Sequence, residues 1–179
     1  IYEFLKHAPD FGIETTLAQL NVKTMVERSR KVAGQLSAGI AHLLKKNKVT
    51  VFEGKGRLKA PNCLLLNDQQ ELQASHIVFA TGARARELAE LPVDGKDIWS
   101  ARQAMTPETL PKSLLVIGSG AIGIEFASFY RTLGADVTVV EVMDRIMPVE
   151  DEEISGLAKK AFEKQGMKIL TSAKVVKLE

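Results

Sequence analysis

Hydrophobic residues recur every three or four positions between residues 22 and 47, which is the spacing of one face of an α-helix. The apolar stripe consists of Val22, Met25, Val26, Val32, Leu36, Ile40 and Leu43. Asn21 stands directly before the stripe and belongs to the residue types preferred at a helix N-cap. The pattern therefore predicts a long helix over 22–47, and its apolar face either packs within the chain or forms an interface between subunits. A shorter helical pattern over 1–8 precedes it.

Short apolar runs follow, and residues typical of turns separate them. We predict strands over 49–53, 57–60, 63–66 and 71–74. The turns between them fall at Pro61-Asn62 and Asn67-Asp68. Strands that follow one another so closely are typical of an antiparallel β-meander. The continuous apolar run HIVFA, residues 76–80, predicts a further strand that leads into Thr81-Gly82-Ala83.

Strand and helix patterns alternate in the last third of the chain. Residues 84–112 contain three of the six prolines and are interpreted as a connector with one short helix near 100–105 and a second helix start at Thr106-Pro107. Beyond Lys112 the predicted elements are strands and helices over 114–117, 121–133, 137–140, 151–165, 168–170 and 174–178. Such alternation is typical of a parallel sheet with crossover helices, so a domain boundary is expected near Lys112.

Three glycines lie where the first of these strands turns into a helix, within LLVIGSGAIGIEFASFYRTLGADVTVVE, residues 114–141. Gly118 permits a sharp turn, Gly120 lets a pyrophosphate approach the backbone, and Gly123 lets the helix pack closely on the sheet. The helix begins at this turn, so its free N–H groups and its positive dipole end point toward a bound anion. The order of strand, glycine turn and helix predicts a dinucleotide site.

An acidic residue, Glu141, ends the second strand 18 residues after Gly123. Its carboxylate can accept hydrogen bonds from ribose hydroxyls and would repel a 2′-phosphate, which favours NAD over NADP. Arg145 is near enough to reach such a phosphate, but it follows Asp144 and is interpreted as paired or solvated. The motif does not separate NAD from FAD, because both are adenine dinucleotides.

Composition excludes several other classes of function. Hydrophobic residues make up 45% and charged residues 26%, which is typical of a folded globular chain. A net charge of +2 gives no basis for nucleic-acid binding, and no apolar run approaches the roughly 20 residues that cross a bilayer. The single cysteine, Cys63, allows no disulfide within the chain and is interpreted as a small packed side chain. No metal site is expected.

Several stretches resemble the pyridine nucleotide–disulfide oxidoreductases, which are flavoproteins with two dinucleotide-binding domains. The matching segments are GIAHLLKKNKVTVFEGKGRL (39–58), IVFATGA (77–83), LPKSLLVIGSGAIGIEFASFYRTLGADVTVVE (110–141) and DRIMPVEDEEI (144–154). The resemblance covers essentially the whole chain and implies an α/β fold of Rossmann-like parallel sheets with a small antiparallel β-meander. It also implies an internal fragment, with residues 1–111 as the later part of an FAD domain and residues 112–179 as the first part of an NAD domain.

The resemblance implies a role for individual residues. Those expected at FAD are Gly56, Thr81, Gly82 and Ala83. Those expected at the NAD pyrophosphate are Gly118, Ser119, Gly120, Ala121, Ile122 and Gly123. Glu141 is expected at the adenosine ribose and Val175 near the adenine. Glu125 matches a glutamate that pairs with a lysine beside the flavin, although an acid in the first turn of a helix also has an ordinary dipole-related explanation.

The implied reaction is the oxidation of dihydrolipoamide to lipoamide, with electrons passing through a disulfide and FAD to NAD+. The implied assembly is a homodimer that serves the lipoyl domain of a 2-oxo acid dehydrogenase complex, in the bacterial cytoplasm or the mitochondrial matrix. The cysteine pair and the His–Glu base of the family fall outside these residues. Three alternatives stay open: another NAD(P)H-dependent disulfide reductase or peroxidase of the family, a noncatalytic NAD-binding redox sensor, and a structural subunit.

Overall fold

The computed structural model describes residues 1–14, 16, 19–86 and 88–177. Helices and strands are α1 (Tyr2–Lys6), α2 (Val22–Lys46), β1 (Gly56–Ala60), β2 (Cys63–Leu66), β3 (Gln70–Gln73), α3 (Ala101–Ala104), β4 (Ser113–Ile117), α4 (Ala121–Thr132), β5 (Asp136–Val140), α5 (Glu152–Lys164) and β6 (Lys168–Leu170). One compact unit comprises Ile1–Arg28 with Ala85–Glu179, and a second comprises Ser29–Arg84. This division reflects packing among the present residues and does not test the domain boundary at Lys112, which stays a prediction.

The long helix α2 begins where the sequence predicts. The side-chain oxygen of Asn21 accepts a hydrogen bond from the amide of Thr24 at 3.0 Å, which is an N-cap bond. The apolar stripe is exposed from Val32 onward, with Leu36 66% and Ile40 60% accessible, and its first three residues are half-buried. No residue of α2 is buried within the described part of the chain. The expectation that this face packs in a core is therefore not met by these residues.

The predicted meander is confirmed in the second unit. Strands β1, β2 and β3 pair antiparallel in that order, with Leu64 opposite both Leu58 and Leu72. The turn between β2 and β3 has positive φ at Asn67 and Asp68, 50° and 55°, a conformation that Asn and Asp tolerate well. Local turn chemistry therefore fixes this hairpin.

Other predicted elements are absent from the described residues. The runs over 49–53, 76–80 and 174–177 form no strand, and Leu178, the end of the last one, lies outside the described residues. A strand needs a neighbour that accepts and donates its backbone hydrogen bonds, and none of the described segments pairs with these runs. Val78 is 86% exposed as a consequence. Thr106-Pro107 starts no helix and lies among bends.

The first unit contains the predicted parallel sheet, in the order β4-β5-β6. Helix α4 connects β4 to β5 and helix α5 connects β5 to β6. The core lies between the sheet and these helices and includes Ile124, Ala127, Tyr130, Val137, Val139, Ile146, Met167 and Ile169. The α/β fold with one parallel and one antiparallel sheet is thus confirmed.

Strand register decides which residues meet at the edge of the parallel sheet. Ile117 pairs with Val140, so β4 and β5 end side by side. The amide of Gly118 donates to the carbonyl of Val140 at 2.8 Å and extends the pairing by one bond. Ligands of such sheets bind outside the carboxyl ends of the strands, and the residues directly after β4 and β5 occupy that position.

Candidate functional site

The three glycines of the turn meet three different requirements. Gly118 has a φ of +94°, which favours glycine. A Cβ added to Gly120 would meet nothing within 4 Å, so the backbone there is open to an approaching group. A Cβ on Gly123 would lie 2.2 Å from the carbonyl oxygen of Gly118, so only glycine fits this close approach of helix and turn. The arrangement has the division of roles expected of a dinucleotide-binding turn.

Helix α4 presents an uncompensated positive end at this turn. Gly120 is the N-cap with extended backbone, and no side chain of the described residues caps the helix. The first turn contains no acidic residue. Ala121 and Ile122, the first two residues of α4, are exposed. The free N–H groups of a helix start bind phosphate groups well, so this end of α4 suits a diphosphate.

Glu141 lies beside the turn, directly after β5, and is only 6% exposed. Its Oε2 accepts hydrogen bonds from the amide of Ser119 at 2.8 Å and from the Ser119 hydroxyl at 2.6 Å. Its Oε1 accepts from the amide of Met143 at 2.9 Å. The amide of Val142 is a further donor to this carboxylate, with a smaller effect than the other three. Of the two oxygens, Oε1 has fewer close donors and is the better placed to accept from a ligand hydroxyl.

These contacts determine the ionisation of Glu141. Burial is the largest single influence and raises the pKa of the carboxyl group. Hydrogen bonds to the carboxylate, led by the one from the Met143 amide and followed by those from Ser119, together outweigh burial and hold the pKa below its ordinary value. Glu141 is therefore an anion at neutral pH, as a ribose acceptor and a 2′-phosphate discriminator must be.

Ser119 lies differently from the expectation that it faces the cofactor. The residue is fully buried, and both its amide and its hydroxyl donate to Glu141. The amide of Met147 donates to both the carbonyl and the hydroxyl oxygen of Ser119, at 3.1 and 3.2 Å. The sequence gives no sign of this link, because the motif leaves the position between the first two glycines unspecified.

Two other residues expected at the cofactors make few contacts. Glu125 lies beyond the first turn of α4, which contains no acidic residue, so the dipole explanation offered for it does not apply. Its side chain is exposed and forms no hydrogen bond or ion pair with the described residues. Val175 is half-buried and lies after β6, outside any described strand. Arg145 lies beside Asp144, with 3.8 Å between Nη1 and Oδ1, which confirms the expected pairing, and its buried Nε has no partner among the described residues.

The residues expected at FAD belong to the second unit. Gly56 begins β1, while Thr81, Gly82 and Ala83 are exposed and follow the unpaired run over 76–80. Gly82 has a φ of +72°, a conformation that favours glycine. Within the described residues no hydrogen bond joins Gly56 to the 81–83 segment, and the assignment of these positions to FAD stays a prediction.

The described segments contain neither a cluster of metal-binding side chains nor a helix that could span a membrane. They contain no group of three or more His, Cys, Asp and Glu side chains that could hold a metal ion. None of their helices is both long enough and apolar enough to cross a bilayer. Cys63 is half-buried in β2, with its Sγ 3.7 Å from Oε2 of Glu71.

A parallel β-α-β unit with a glycine turn at the carboxyl end of its first strand, and an acid at the end of its second, defines a dinucleotide-binding fold. The family model of the pyridine nucleotide-disulphide oxidoreductases matches residues 3–179. The chain therefore belongs to the pyridine nucleotide-disulphide oxidoreductase family.

Relatives within this family share much of the sequence. The chain is similar to the dihydrolipoyl dehydrogenase of Rhizobium etli, with 45% identity over all of this chain and 41% of that protein. It is also similar to the dihydrolipoyl dehydrogenase of Zymomonas mobilis, with 44% identity over 97% of this chain and 38% of that protein. The chain thus spans about two fifths of the length of these curated relatives.

Solved structures show the same fold. LpdA from Mycobacterium tuberculosis superimposes with a TM-score of 0.83 at 28% identity, covering 98% of this chain and 40% of that one. The HOCl-induced flavoprotein disulfide reductase RclA from Escherichia coli gives a TM-score of 0.77 over 98% of this chain and 39% of that one. Its 22% identity shows likeness of fold alone.

Proposed function

We propose that this chain is a cofactor-binding part of an enzyme that oxidises dihydrolipoamide to lipoamide with NAD+ as the final acceptor. The observation that carries the proposal is the glycine turn with Glu141 beside it, in a chain 45% identical to a dihydrolipoyl dehydrogenase. When bound, FAD takes up an electron pair from a dithiol–disulfide couple and NAD+ accepts that pair as hydride.

The residues of the turn fit the adenosine diphosphate part of NAD. The open backbone at Gly120 and the free helix start of α4 would hold the diphosphate. Oε1 of Glu141, the oxygen with fewer close donors, would accept from a ribose hydroxyl, and the ionised carboxylate would repel a 2′-phosphate and favour NAD over NADP. Val175 is assigned to the adenine by resemblance alone.

The flavin positions rest on resemblance as well. Gly56 with Thr81, Gly82 and Ala83 would contact FAD, largely through the backbone. Glu125 would pair with a lysine beside the flavin ring, and its exposed side chain leaves it available for such a partner. The redox-active cysteine pair and the His–Glu base are assigned to parts of the enzyme other than these 179 residues.

A binding experiment tests the NAD site. ADP-ribose carries the adenosine ribose and the diphosphate but no nicotinamide, so it binds without reducing the flavin. In the FAD-loaded full-length protein, Glu141→Ala is expected to weaken ADP-ribose binding roughly 10- to 100-fold, the value of a hydrogen bond to a charged group. FAD content, measured by absorbance, is expected to stay unchanged.

Glu163→Ala provides the matched control, because Glu163 is an exposed acid of the same fold on helix α5. It should leave ADP-ribose affinity as it is. Equal losses of ADP-ribose and FAD binding in Glu141→Ala would show that the NAD site is misassigned. Glu141→Gln, which keeps the side-chain volume, serves if the alanine variant does not fold.

The substrate is tested by turnover. NADH formation from dihydrolipoamide and NAD+ supports the proposal, and activity confined to another disulfide or a peroxide would favour a different enzyme of the family. A protein that binds NADH without any change in its flavin spectrum would favour a noncatalytic sensor or a structural subunit.

The assembly proposed for the full-length enzyme is a homodimer that exchanges electrons with a lipoyl domain, in the bacterial cytoplasm or the mitochondrial matrix. The exposed apolar stripe of α2 and the family resemblance support an assembly with large apolar contacts. Sedimentation of the full-length protein as a monomer at micromolar concentration would contradict the dimer.

A further inference from the structure

We propose that Ser119 is a positioning residue of the NAD site: it holds one oxygen of Glu141 through two hydrogen bonds and thereby leaves the other oxygen to accept from the ribose. The proposal rests on the NAD site proposed above and assigns Ser119 a role through Glu141 rather than a contact with the cofactor. It is carried by burial and by hydrogen-bond geometry around the Ser119 hydroxyl.

The direction of each hydrogen bond follows from the partners. The amide of Met147 can only donate, so the Ser119 hydroxyl oxygen accepts from it at 3.2 Å. An ionised carboxylate can only accept, so the Ser119 hydroxyl proton points to Oε2 of Glu141 at 2.6 Å. The hydroxyl has one proton, and it is committed to Glu141. Ser119 is also fully buried, so it offers no surface to a ligand.

The two carboxylate oxygens of Glu141 are therefore unequal. Oε2 receives both donors of Ser119, at 2.8 and 2.6 Å, and its acceptor positions are filled. Among the bonds of ordinary geometry, Oε1 accepts one, from the amide of Met143 at 2.9 Å, and is therefore the oxygen with fewer close donors. A ribose hydroxyl that donates to Glu141 must accordingly meet Oε1. Without the Ser119 hydroxyl, Oε2 would also have a free position, and the carboxylate would be held by backbone amides alone.

Met147, in the loop after β5, also binds Ser119 and helps to hold it in place. Met147 has a positive φ of 48° and donates its amide to residue 119. The hydroxyl of Ser155 on α5 donates to the carbonyl of Met147 at 3.2 Å. The loop after β5 is thus attached both to the glycine turn and to α5, and the attachment to α5 does not involve Glu141.

Ser119→Ala removes the two hydrogen bonds of the hydroxyl and spares those of the backbone. The amide of Met147 keeps the carbonyl oxygen of residue 119 as its acceptor, at 3.1 Å. The amide of residue 119 keeps its bond to Oε2. The hydroxyl bond to Glu141 is lost, together with the weaker of the two bonds from the Met147 amide. ADP-ribose affinity is expected to fall roughly three- to tenfold, the value of one hydrogen bond to Glu141.

A double-mutant cycle distinguishes positioning from a general structural role. ADP-ribose dissociation constants are measured by calorimetry on the FAD-loaded full-length protein, with Ser119→Ala made in the wild-type and in the Glu141→Ala backgrounds. The expected result is a loss in the wild-type background and no further loss when Glu141 is absent. Glu141→Leu, which fills the space without an acceptor oxygen, replaces Glu141→Ala if the double variant does not fold.

Ser128→Ala is the control, because Ser128 is a half-buried serine whose hydroxyl donates to Oε1 of Gln165 at 3.1 Å and contacts neither Glu141 nor Met147. It should leave ADP-ribose affinity within about twofold, a change smaller than one hydrogen bond produces. The inference is overturned if Ser119→Ala has no effect, or if it weakens binding equally in both backgrounds. If Glu141→Ala itself leaves ADP-ribose affinity unchanged, the NAD site and the inference both fail.

Discussion

Replacing Gly123 by alanine places a methyl group in the closest contact between α4 and the turn before it. The added Cβ would lie 2.2 Å from the carbonyl oxygen of Gly118 and 3.4 Å from Cγ1 of Val116. Ordinary contacts begin at 3.4 Å, so the oxygen and the methyl group must separate by about 1.2 Å. The obstructing atom belongs to the backbone and cannot rotate away, so the helix or the turn has to move.

Two opposing effects determine how much Gly123→Ala changes the free energy of unfolding. Overpacking of a tight contact costs roughly 1–3 kcal/mol. Alanine is favoured over glycine inside a helix by about 1 kcal/mol, and Gly123 is the third residue of α4. A displacement above 1 Å belongs at the upper end of the overpacking range, so we expect a net destabilisation of about 1–2 kcal/mol.

Gly156→Ala gives a control of opposite sign. Gly156 lies inside helix α5, and a Cβ there would meet nothing within 4 Å. The same chemical change should therefore stabilise the protein by up to about 1 kcal/mol. Urea unfolding of the full-length protein, followed by circular dichroism, should move its midpoint down for the Gly123 variant and up for the Gly156 variant.

Ligand affinity supplies a second measurement on the same variants. Movement of α4 away from the turn shifts its free N–H groups, so Gly123→Ala should also weaken ADP-ribose binding, whereas Gly156→Ala should not. If both alanines raised the midpoint and the Gly123 variant bound ADP-ribose normally, the close approach of helix and turn would be refuted.

Three further changes probe single interactions. Tyr130→Phe removes a buried hydroxyl that donates to the carbonyl of Ala104 at 2.7 Å and should cost about 1–2 kcal/mol in urea unfolding. Asp94→Ala should lower the thermal midpoint, because Oδ1 of Asp94 accepts hydrogen bonds from three backbone amides. The bond from the Ile98 amide is the largest cause of the lowered pKa of Asp94. Glu141→Gln should reduce the free energy of unfolding most above pH 4.5, the ordinary pKa of a glutamate side chain. The folded-state pKa of Glu141 lies below this value, so the stability that the ionised carboxylate contributes is lost as the pH falls through the folded-state pKa.

Each of these has a result that would contradict it. A Tyr130→Phe variant as stable as wild type would mean that the hydroxyl finds no acceptor in the fold. Asp94→Asn keeps a side-chain oxygen and should melt between wild type and the alanine variant, so an order in which it melts lowest would argue against the amide bonds. A stability gap between wild type and Glu141→Gln that stays constant from neutral to acid pH would show that the fold does not favour the ionised carboxylate.

Sequence patterns correctly predicted the turns, helix starts and short strands that depend on residues close together in the sequence. The bounds of β2 and β6 are those expected, and the turn at Asn67-Asp68 has the positive φ values that these residue types accept. The glycine turn was predictable for the same reason, since positive φ at Gly118 and the space needed at Gly123 are requirements on single residues. Asn21 likewise predicted the start of α2, because an N-cap depends on a hydrogen bond between residues close in sequence.

Elements that depend on distant partners were predicted less well. The runs over 49–53 and 76–80 have the composition of strands, but a strand exists only where another segment pairs with it. The described residues supply no such segment, so both runs stay unpaired. The stripe of α2 shows the same dependence, because helical spacing specifies an apolar face and not what covers it.

The link between Ser119 and Glu141 lies between these two cases, and strand register explains why. The motif specifies glycines at 118, 120 and 123 and allows any residue at 119, so the sequence alone indicates no role for the serine at that position. In a parallel pair, however, residues that follow two paired strand ends lie side by side, and Ile117 opposite Val140 brings residues 118–119 against Glu141. A polar residue directly after the first glycine of such a turn should therefore be examined first as a partner of the acid, and only then as a contact of the phosphate. The 2.6 Å hydroxyl bond is what this register predicts once the pairing is known.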